Sequence, residues 1–398
     1  MTAAPDRSLQ PGAPLVGLFP ELLGVGGVQE SGRQTVRALR NICAQMHFAA
    51  NFLSLNDNRG AHKFVTGDTS LAFRGFGRSK VQFVLTALAC AGNKPRIVLA
   101  AHPNLAVPAR WVKRLAPQAK VIVMTHGIDV WEPLTSSRRS ALLAADLVLA
   151  PSTYTLQKLT EKQGVPAGKI RRLPWPLDSD VLGMAEATRN LPSPPEGFPR
   201  SPVILTVGRW SASERYKGAD ELIRAVAQLS AEFPALSLVA VGGGDDLLRL
   251  KQIAADLGRT NAVKFFDGLS RPELSACYAA ADIFALPSTG EGFGFVFIEA
   301  MAFAKPVVGV SAGGVTDLVE DGVNGLLVPP ADSPALVQAL RLLLRDRTLR
   351  VTLGQQGLQI VRDQYRFEAF EERLKTILAE CISPLASMGS LMDSGHPA

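Results

Sequence analysis

Short apolar runs and longer amphipathic stretches alternate along all 398 residues. "PLVGLF" (14–19), "RIVLAA" (96–101), "KVIVMT" (120–125) and "DLVLAP" (146–151) read as buried strands with helical segments between them. Between Gln29 and Cys43, for example, Val36, Leu39 and Ile42 recur at helical spacing. Such alternation predicts βαβ units around a parallel sheet, whose strands are covered on both faces and therefore apolar throughout. The rhythm stops at 183–202, "GMAEATRNLPSPPEGFPRSP", which holds five prolines and few apolar residues. It then restarts with "PVILTVG" (202–208), "LSLVAVG" (236–242), "AVKFFDG" (262–268), "DIFALPS" (282–288) and "KPVVGV" (305–310). The sequence thus predicts two doubly wound α/β domains, 1–182 and 202–365, joined by a linker at 183–201. A helix at 366–383 that crosses back to the first domain and a disordered tail at 384–398 complete the expected organisation.

A formal net charge of +6 favours anionic partners. No block of like charge points to nucleic acid. The four cysteines (Cys43, Cys90, Cys277, Cys381) show no C-x-x-C spacing, which suits a reducing compartment and argues against disulfides or zinc. "MTAAPDRSLQPGAP" lacks the pattern of a signal peptide, and no segment approaches ~18 uninterrupted apolar residues. The expected setting is cytoplasmic, with contact at the inner face of the membrane left open by apolar stretches such as "VQFVLTALACA" (81–91).

In two facing open sheets, ligands bind beyond the carboxyl ends of the strands, so the loops there carry the chemistry. The first is "ELLGVGGVQESG", with Gly24, Gly26 and Gly27 before a helix. It nearly matches the dinucleotide fingerprint, but Gln29 stands at the third glycine position and no acid follows about 20 residues on. What remains is a glycine turn whose amides and helix end suit an anion. "THGIDVW" places His126 at a strand end with Asp129 three residues later. The histidines form no H-x-x-x-H pair, so no protein-held metal is expected. "VGRWSASERYKGAD" brings Arg209 directly after a strand and Lys217 to the start of the next helix. A cation there opposes the helix dipole and calls for an anion, for which a diphosphate is well suited. "VGGGDD" (241–246) gives a further backbone approach, whereas turn chemistry alone explains "SAGGVTDLVEDGVNGLLV" (311–328), with a short helix and a final strand.

The stretch "EGFGFVFIEAMAFAKPVV" (291–308) sets Glu291 and Glu299 in apolar surroundings, where a bare carboxylate costs several kcal/mol. Glu291 follows a strand, and the amides of Phe293, Gly294 and Phe295 lie at a helix start. An ionised carboxylate accepts two hydrogen bonds from a vicinal diol, so two sugars are the expected ligands of the two acids.

With these loops in order, the chain resembles the retaining glycosyltransferases of the two-Rossmann-domain (GT-B) type, family 4, whose signature is E-x7-E. The resemblance runs from Gly26–Gly27 through His126, Arg209, Lys217, Glu291 and Glu299. It implies that Glu299 binds the nucleotide ribose, that Arg209 and Lys217 neutralise the diphosphate in place of a divalent ion, and that Glu291 with the backbone of 293–295 binds the donor sugar. It also implies that Gly26 and Gly27 contact the diphosphate, that Gly268 and Leu269 border the base, and that Gly27, His126 and Asp129 face the acceptor. Many relatives place the cations in R-x-x-x-E-K-G; here Lys217 comes eight residues after Arg209.

The implied activity is transfer of a hexosyl group from a nucleoside-diphosphate sugar (GDP-mannose, UDP-glucose or UDP-N-acetylglucosamine) to an acceptor hydroxyl with retention. A glycan or lipid-linked acceptor in surface polysaccharide or glycolipid assembly fits best. The implied catalytic set is His126, Glu291, Arg209 and Lys217, with no cofactor beyond the sugar nucleotide. Competing readings are an epimerase or glucan synthase on the same fold, an NAD-dependent dehydrogenase, and a catalytically silent sugar-nucleotide binder.

Overall fold

A computed structural model describes residues 14–66 and 69–382. The tail expected at 384–398 lies outside them.

The first unit is an eight-stranded sheet. Its strands are β1 (Leu15–Phe19), β2 (Ala50–Ser54), β3 (Gly60–Thr66), β4 (Thr69–Gly75), β5 (Ile97–Ala100), β6 (Lys120–Met124), β7 (Leu147–Ala150) and β8 (Ile170–Arg172). Their order is β3-β4-β2-β1-β5-β6-β7-β8, parallel except for the β3–β4 hairpin. The second unit has six parallel strands: β9 (Val203–Val207), β10 (Ser237–Val241), β11 (Val263–Phe266), β12 (Ile283–Ala285), β13 (Val307–Val310) and β14 (Gly325–Val328). Their order is β11-β10-β9-β12-β13-β14.

The apolar runs follow from burial on both faces. In β1, Leu15 and Phe19 join one core cluster while Val16 and Leu18 join another. The cluster under Leu15 and Phe19 continues through Trp175 and Phe370 into the second unit, so the two sheets share apolar packing. The helix Phe367–Ile382 makes part of that join. Asn41 donates to Glu371 at 2.6 Å, and the Arg37 guanidinium lies 3.8 Å from the Phe367 ring centroid. The proline-rich stretch begins inside a helix, Ser179–Glu186, which Asp178 caps by accepting from the Asp180 amide.

Strand order turns around at β1, between β2 and β5, and at β9, between β10 and β12. A crevice opens beyond the carboxyl ends at such a reversal. The loops after β1, β5, β9 and β12 border these two crevices. They carry Gly24–Gly27, His102, Arg209–Lys217 and Ser288–Gly294, and the loop after the neighbouring β6 adds His126.

Candidate active site

The loop after β9 is stitched to the glycine loop after β10. Gly208 donates to Val241 (3.0 Å), Trp210 donates to Gly243 (2.9 Å) and Asp246 donates back to Trp210 (2.9 Å). A Cβ at Gly242 would lie 1.9 Å from the Gly208 oxygen, which explains the glycine there. The chain then winds through a 3₁₀ turn, Ala212–Lys217, and Gly218 enters the left-handed region (φ 69°) against Pro287 before the helix Ala219–Leu229. The result sets the two cations apart in character. Arg209 is 72% exposed at its side chain, whereas Lys217 is 16% exposed. Burial pushes the Lys217 ammonium below its ordinary range, with Glu291 pulling it back up.

The loop after β12 docks on that turn. Thr289 donates to the Tyr216 oxygen at 3.0 Å, and the Tyr216 ring covers Gly290. Burial and the Glu291 charge together raise the Tyr216 phenol. Glu291 thus shares one electrostatic neighbourhood with Tyr216 and Lys217. Gly294 (φ 103°) caps the helix Phe295–Ala302. The amides of Phe293, Gly294 and Phe295 have no acceptor among the described residues, as a helix start allows.

Glu299 has internal partners. Arg271 Nη1 reaches one carboxylate oxygen at 2.9 Å and the Tyr278 hydroxyl reaches the other at 2.9 Å. Burial still pushes the Glu299 carboxyl above its ordinary range, against Arg271 and Tyr278. These two donors supply the compensation that its apolar setting demands. The expectation gave Glu299 a ribose; the structure adds a cation and a phenol from the chain itself, and an ionised carboxylate retains acceptor capacity beside them. Arg271 Nη2 also lies 3.7 Å from Asp178 and 3.9 Å from Glu30 of the first unit, so Glu299 stays beside the junction of the two units.

From the first unit, Gly26 (φ 145°) caps the helix Gly27–Gln45. Gln29, at the third glycine position, donates to Glu21 at 2.7 Å and folds over Gly26. A Cβ at Gly27 would stand 3.3 Å from the Phe295 ring, which brings the first glycine loop to the Glu291 helix.

His126 is held on every side. Its Nε2 lies 2.7 Å from the Ala101 oxygen and therefore donates; Nδ1 faces the Ser31 hydroxyl at 3.3 Å. Its ring stacks between His102 (5.7 Å) and Trp175 (5.4 Å). The loop, rather than a loose imidazole, meets the other unit: Gly127 (φ 123°) packs on Gly292, and Ser152 donates to the Gly292 oxygen at 3.1 Å. Asp129, expected to face the acceptor, also has partners within its own loop. Its oxygens accept the amides of His126 (3.0 Å) and Gly127 (2.7 Å), so it fixes this loop. Gly268 (φ 69°) and Leu269 follow β11, and Gly268 donates to Asp267, whose carboxylate covers Gly243.

Sequence reasoning missed Arg271, Tyr278 and Glu214. Arg271 had a usable signal: "SRPEL" puts a cation on the first turn of a helix that Ser270 and Glu273 cap reciprocally, the same conflict with the dipole that marked Lys217. The expectation that the sequence holds no D-x-D triplet is wrong, since Asp178–Ser179–Asp180 is one; Asp178 caps a helix and faces Arg271. Among the described residues no group of three or more His, Cys, Asp or Glu is arranged to hold a metal.

Two doubly wound sheets that bring cations, acids and glycine loops together where they meet define a GT-B architecture. Comparison with known proteins agrees. Residues 25–181 match the family described as Glycosyltransferase Family 4, and residues 191–359 match Glycosyl transferases group 1. The chain is 31% identical over 277 residues to a GDP-mannose-dependent alpha-(1-6)-phosphatidylinositol monomannoside mannosyltransferase of Mycolicibacterium smegmatis, covering 67% of this chain and 72% of that one. Among solved structures it is similar to Anabaena HepE in complex with UDP (TM-score 0.68, 20% identity, 92% of this chain and 100% of that one). It is also similar to the sucrose-phosphate synthase of Thermosynechococcus elongatus (TM-score 0.71, 22% identity, 92% and 98%). The chain belongs to the family 4 type of GT-B glycosyltransferases.

Proposed function

We propose that the protein transfers a mannosyl group from GDP-mannose to a hydroxyl of a glycan or lipid-linked acceptor, with retention of anomeric configuration. One observation carries the reading: Arg209 and Lys217 lie on one short loop, docked through Tyr216 on the loop of Glu291. That cluster suits a diphosphate flanked by a sugar. GDP-mannose is chosen because the Mycolicibacterium relative is named for that donor.

In this reading Arg209 and Lys217 take the negative charge that grows on the departing phosphate. A preorganised donor at such a position contributes ~3 kcal/mol to the transition state. The amides of Phe293, Gly294 and Phe295, with Glu291, hold the mannosyl hydroxyls. The Gly26–Gly27 turn approaches the diphosphate from the first unit, Glu299 accepts from the ribose, and Gly268–Leu269 border the base. The acceptor enters on the same face as the leaving phosphate, which takes its proton, so Glu291 is a binder and not a nucleophile. The His126–Gly127 loop borders the transferred sugar. The cations stand in for a divalent ion.

The test is a thermal-shift and transfer assay against GDP-mannose, UDP-glucose, UDP-N-acetylglucosamine and ADP-glucose. At ~100 times its dissociation constant the true donor adds ~2.7 kcal/mol of stability. Lys217→Ala is expected to lower kcat/KM by about 10²-fold or more. No shift with any of the four, or full turnover in Lys217→Ala, overturns the reading. A UDP-sugar as the preferred donor overturns only the choice of GDP-mannose.

A further inference from the structure

The two cations are already bridged in the structure by a carboxylate of the chain itself. One Glu214 oxygen pairs with Arg209, and the other lies 3.0 Å from Lys217 Nζ. Glu214 is only 11% exposed at its side chain. Its position comes from the turn that separates the cations in "RWSASERYK". Glu214 breaks the 3₁₀ conformation (φ −120°, ψ 29°). Its neighbour Arg215 turns the other way, to Asp246 at 3.1 Å. The remaining acids of this loop system are engaged elsewhere: Asp245 accepts the Ala212 amide, and Asp246 also holds Arg249. Among the described residues, Glu214 alone forms ion pairs with both Arg209 and Lys217.

We propose that Glu214 is an internal stand-in for the diphosphate: it pairs with the two cations before the donor binds, yields to the donor, and returns to expel the nucleoside diphosphate. The proposal rests on the assignment of Arg209 and Lys217 as the diphosphate site. Two like charges on one loop repel, more so where water is partly excluded, and a carboxylate between them holds the site in shape. It cannot stay when a diphosphate arrives, because the anions would then share two cations at close range. Glu214 sits on a turn and not inside a regular helix, so its departure breaks no helical ladder.

The value of such a group lies after the chemistry. Transfer of the sugar frees an oxygen on the terminal phosphate, and once the proton taken from the acceptor passes on to solvent, that phosphate carries an additional negative charge that tightens its grip on Arg209 and Lys217. A tethered carboxylate competes at the high effective concentration of an intramolecular group and loosens that grip. Product release limits turnover in many enzymes. Glu214 is therefore a positioning residue that acts through the two cations.

The experiment measures GDP and UDP binding and release on the full chain, by calorimetry and stopped flow, for wild type, Glu214→Gln and Glu214→Ala. Both variants are expected to bind the preferred nucleoside diphosphate about tenfold more tightly, with most of the gain in a slower off-rate and a lower product-inhibition constant. Binding of guanosine or uridine, which reach neither cation, stays unchanged. In an Arg209→Ala background the gain from Glu214→Gln shrinks, since one of the two contested cations is gone. Unchanged or weaker nucleotide binding in both variants overturns the proposal, because Glu214 would then only brace the cations. If wild type binds neither GDP nor UDP, the diphosphate site itself is wrong and the stand-in falls with it.

Discussion

His102 shows how one side chain beside the site ties it to pH. Burial, opposed by Asp129, lowers its imidazole from 6.5 to about 4. Its Nδ1 accepts the Asn104 amide at 3.1 Å, which fits a neutral ring, and its face stacks on His126. Because the folded value is depressed, the unfolded chain takes up the proton first as pH falls. The stabilising contribution is complete above about 6.5 and is lost between there and about 4. His102→Asn keeps an acceptor for the Asn104 amide and removes the titration. Urea unfolding at pH 7 and pH 5 should show wild type losing on the order of 1–2 kcal/mol more than the variant. Equal losses in both proteins would contradict this. At the same scale, the placement of Arg209, Lys217 and Glu291 in loops beyond strand ends was legible, because each loop follows an apolar run that reads as a strand. The partners of Glu299 were not: Arg271 and Tyr278 lie 28 and 21 residues away, and only the packing of one helix on another brings them to it.

Among the elements, the strands buried on both faces were readable and the others were not. β1 and β9 are buried at every position, so apart from Gly17 and Thr206 their sequences are apolar. β3 alternates exposed positions with half-buried ones and the buried Phe64 at the sheet edge, and "GAHKFVT" has no apolar run to mark it. β8 has a single buried residue in "IRR", Ile170. The contact between the loops after β6 and β12 was equally hidden, since glycine marks a turn whatever lies across from it. That contact is tight: a Cβ on Gly127 would stand 2.3 Å from the Gly292 Cα, and φ of 123° is unsuited to any L side chain. Gly127→Ala should therefore push the two loops apart and strain the backbone by about 1–3 kcal/mol. Transfer activity is expected to fall at least tenfold. Gly168→Ala, which meets nothing within 4 Å, is the matched control and should keep full activity. Equal behaviour of the two variants would show that the loop contact does not shape the site.

On the scale of the whole molecule, Arg271 is where the two units and the site meet. It faces Glu299 of its own unit, Glu30 of the first unit and Asp178 of the segment between them. One cation thus holds three acids, two of which, Asp178 and Glu299, burial pushes upward. Arg271→Met keeps much of the side-chain volume and removes the charge. It leaves Glu299 with Tyr278 alone, and an uncompensated buried charge costs roughly 3–5 kcal/mol. Part of that cost is avoided if the carboxyl takes up a proton, so the Glu299 value rises further in the variant. If Glu299 binds the ribose as proposed, protonation costs it acceptor capacity there. The KM for donor in Arg271→Met should therefore climb as pH falls from 8 to 6, by about tenfold or more, while the wild-type value changes little. Adding Glu299→Gln removes the orphaned charge, restores part of the lost stability and abolishes the pH trend. A variant whose KM ignores pH, or whose stability is not improved by Glu299→Gln, would show that Arg271 ties the units together without tuning the acid. The meeting of Arg271 with both Glu30 and Glu299 requires both sheets, because Glu30 comes from the helix after β1 and Glu299 from the helix after β12. The order of strands, more than any single motif, is what brings one arginine within reach of both.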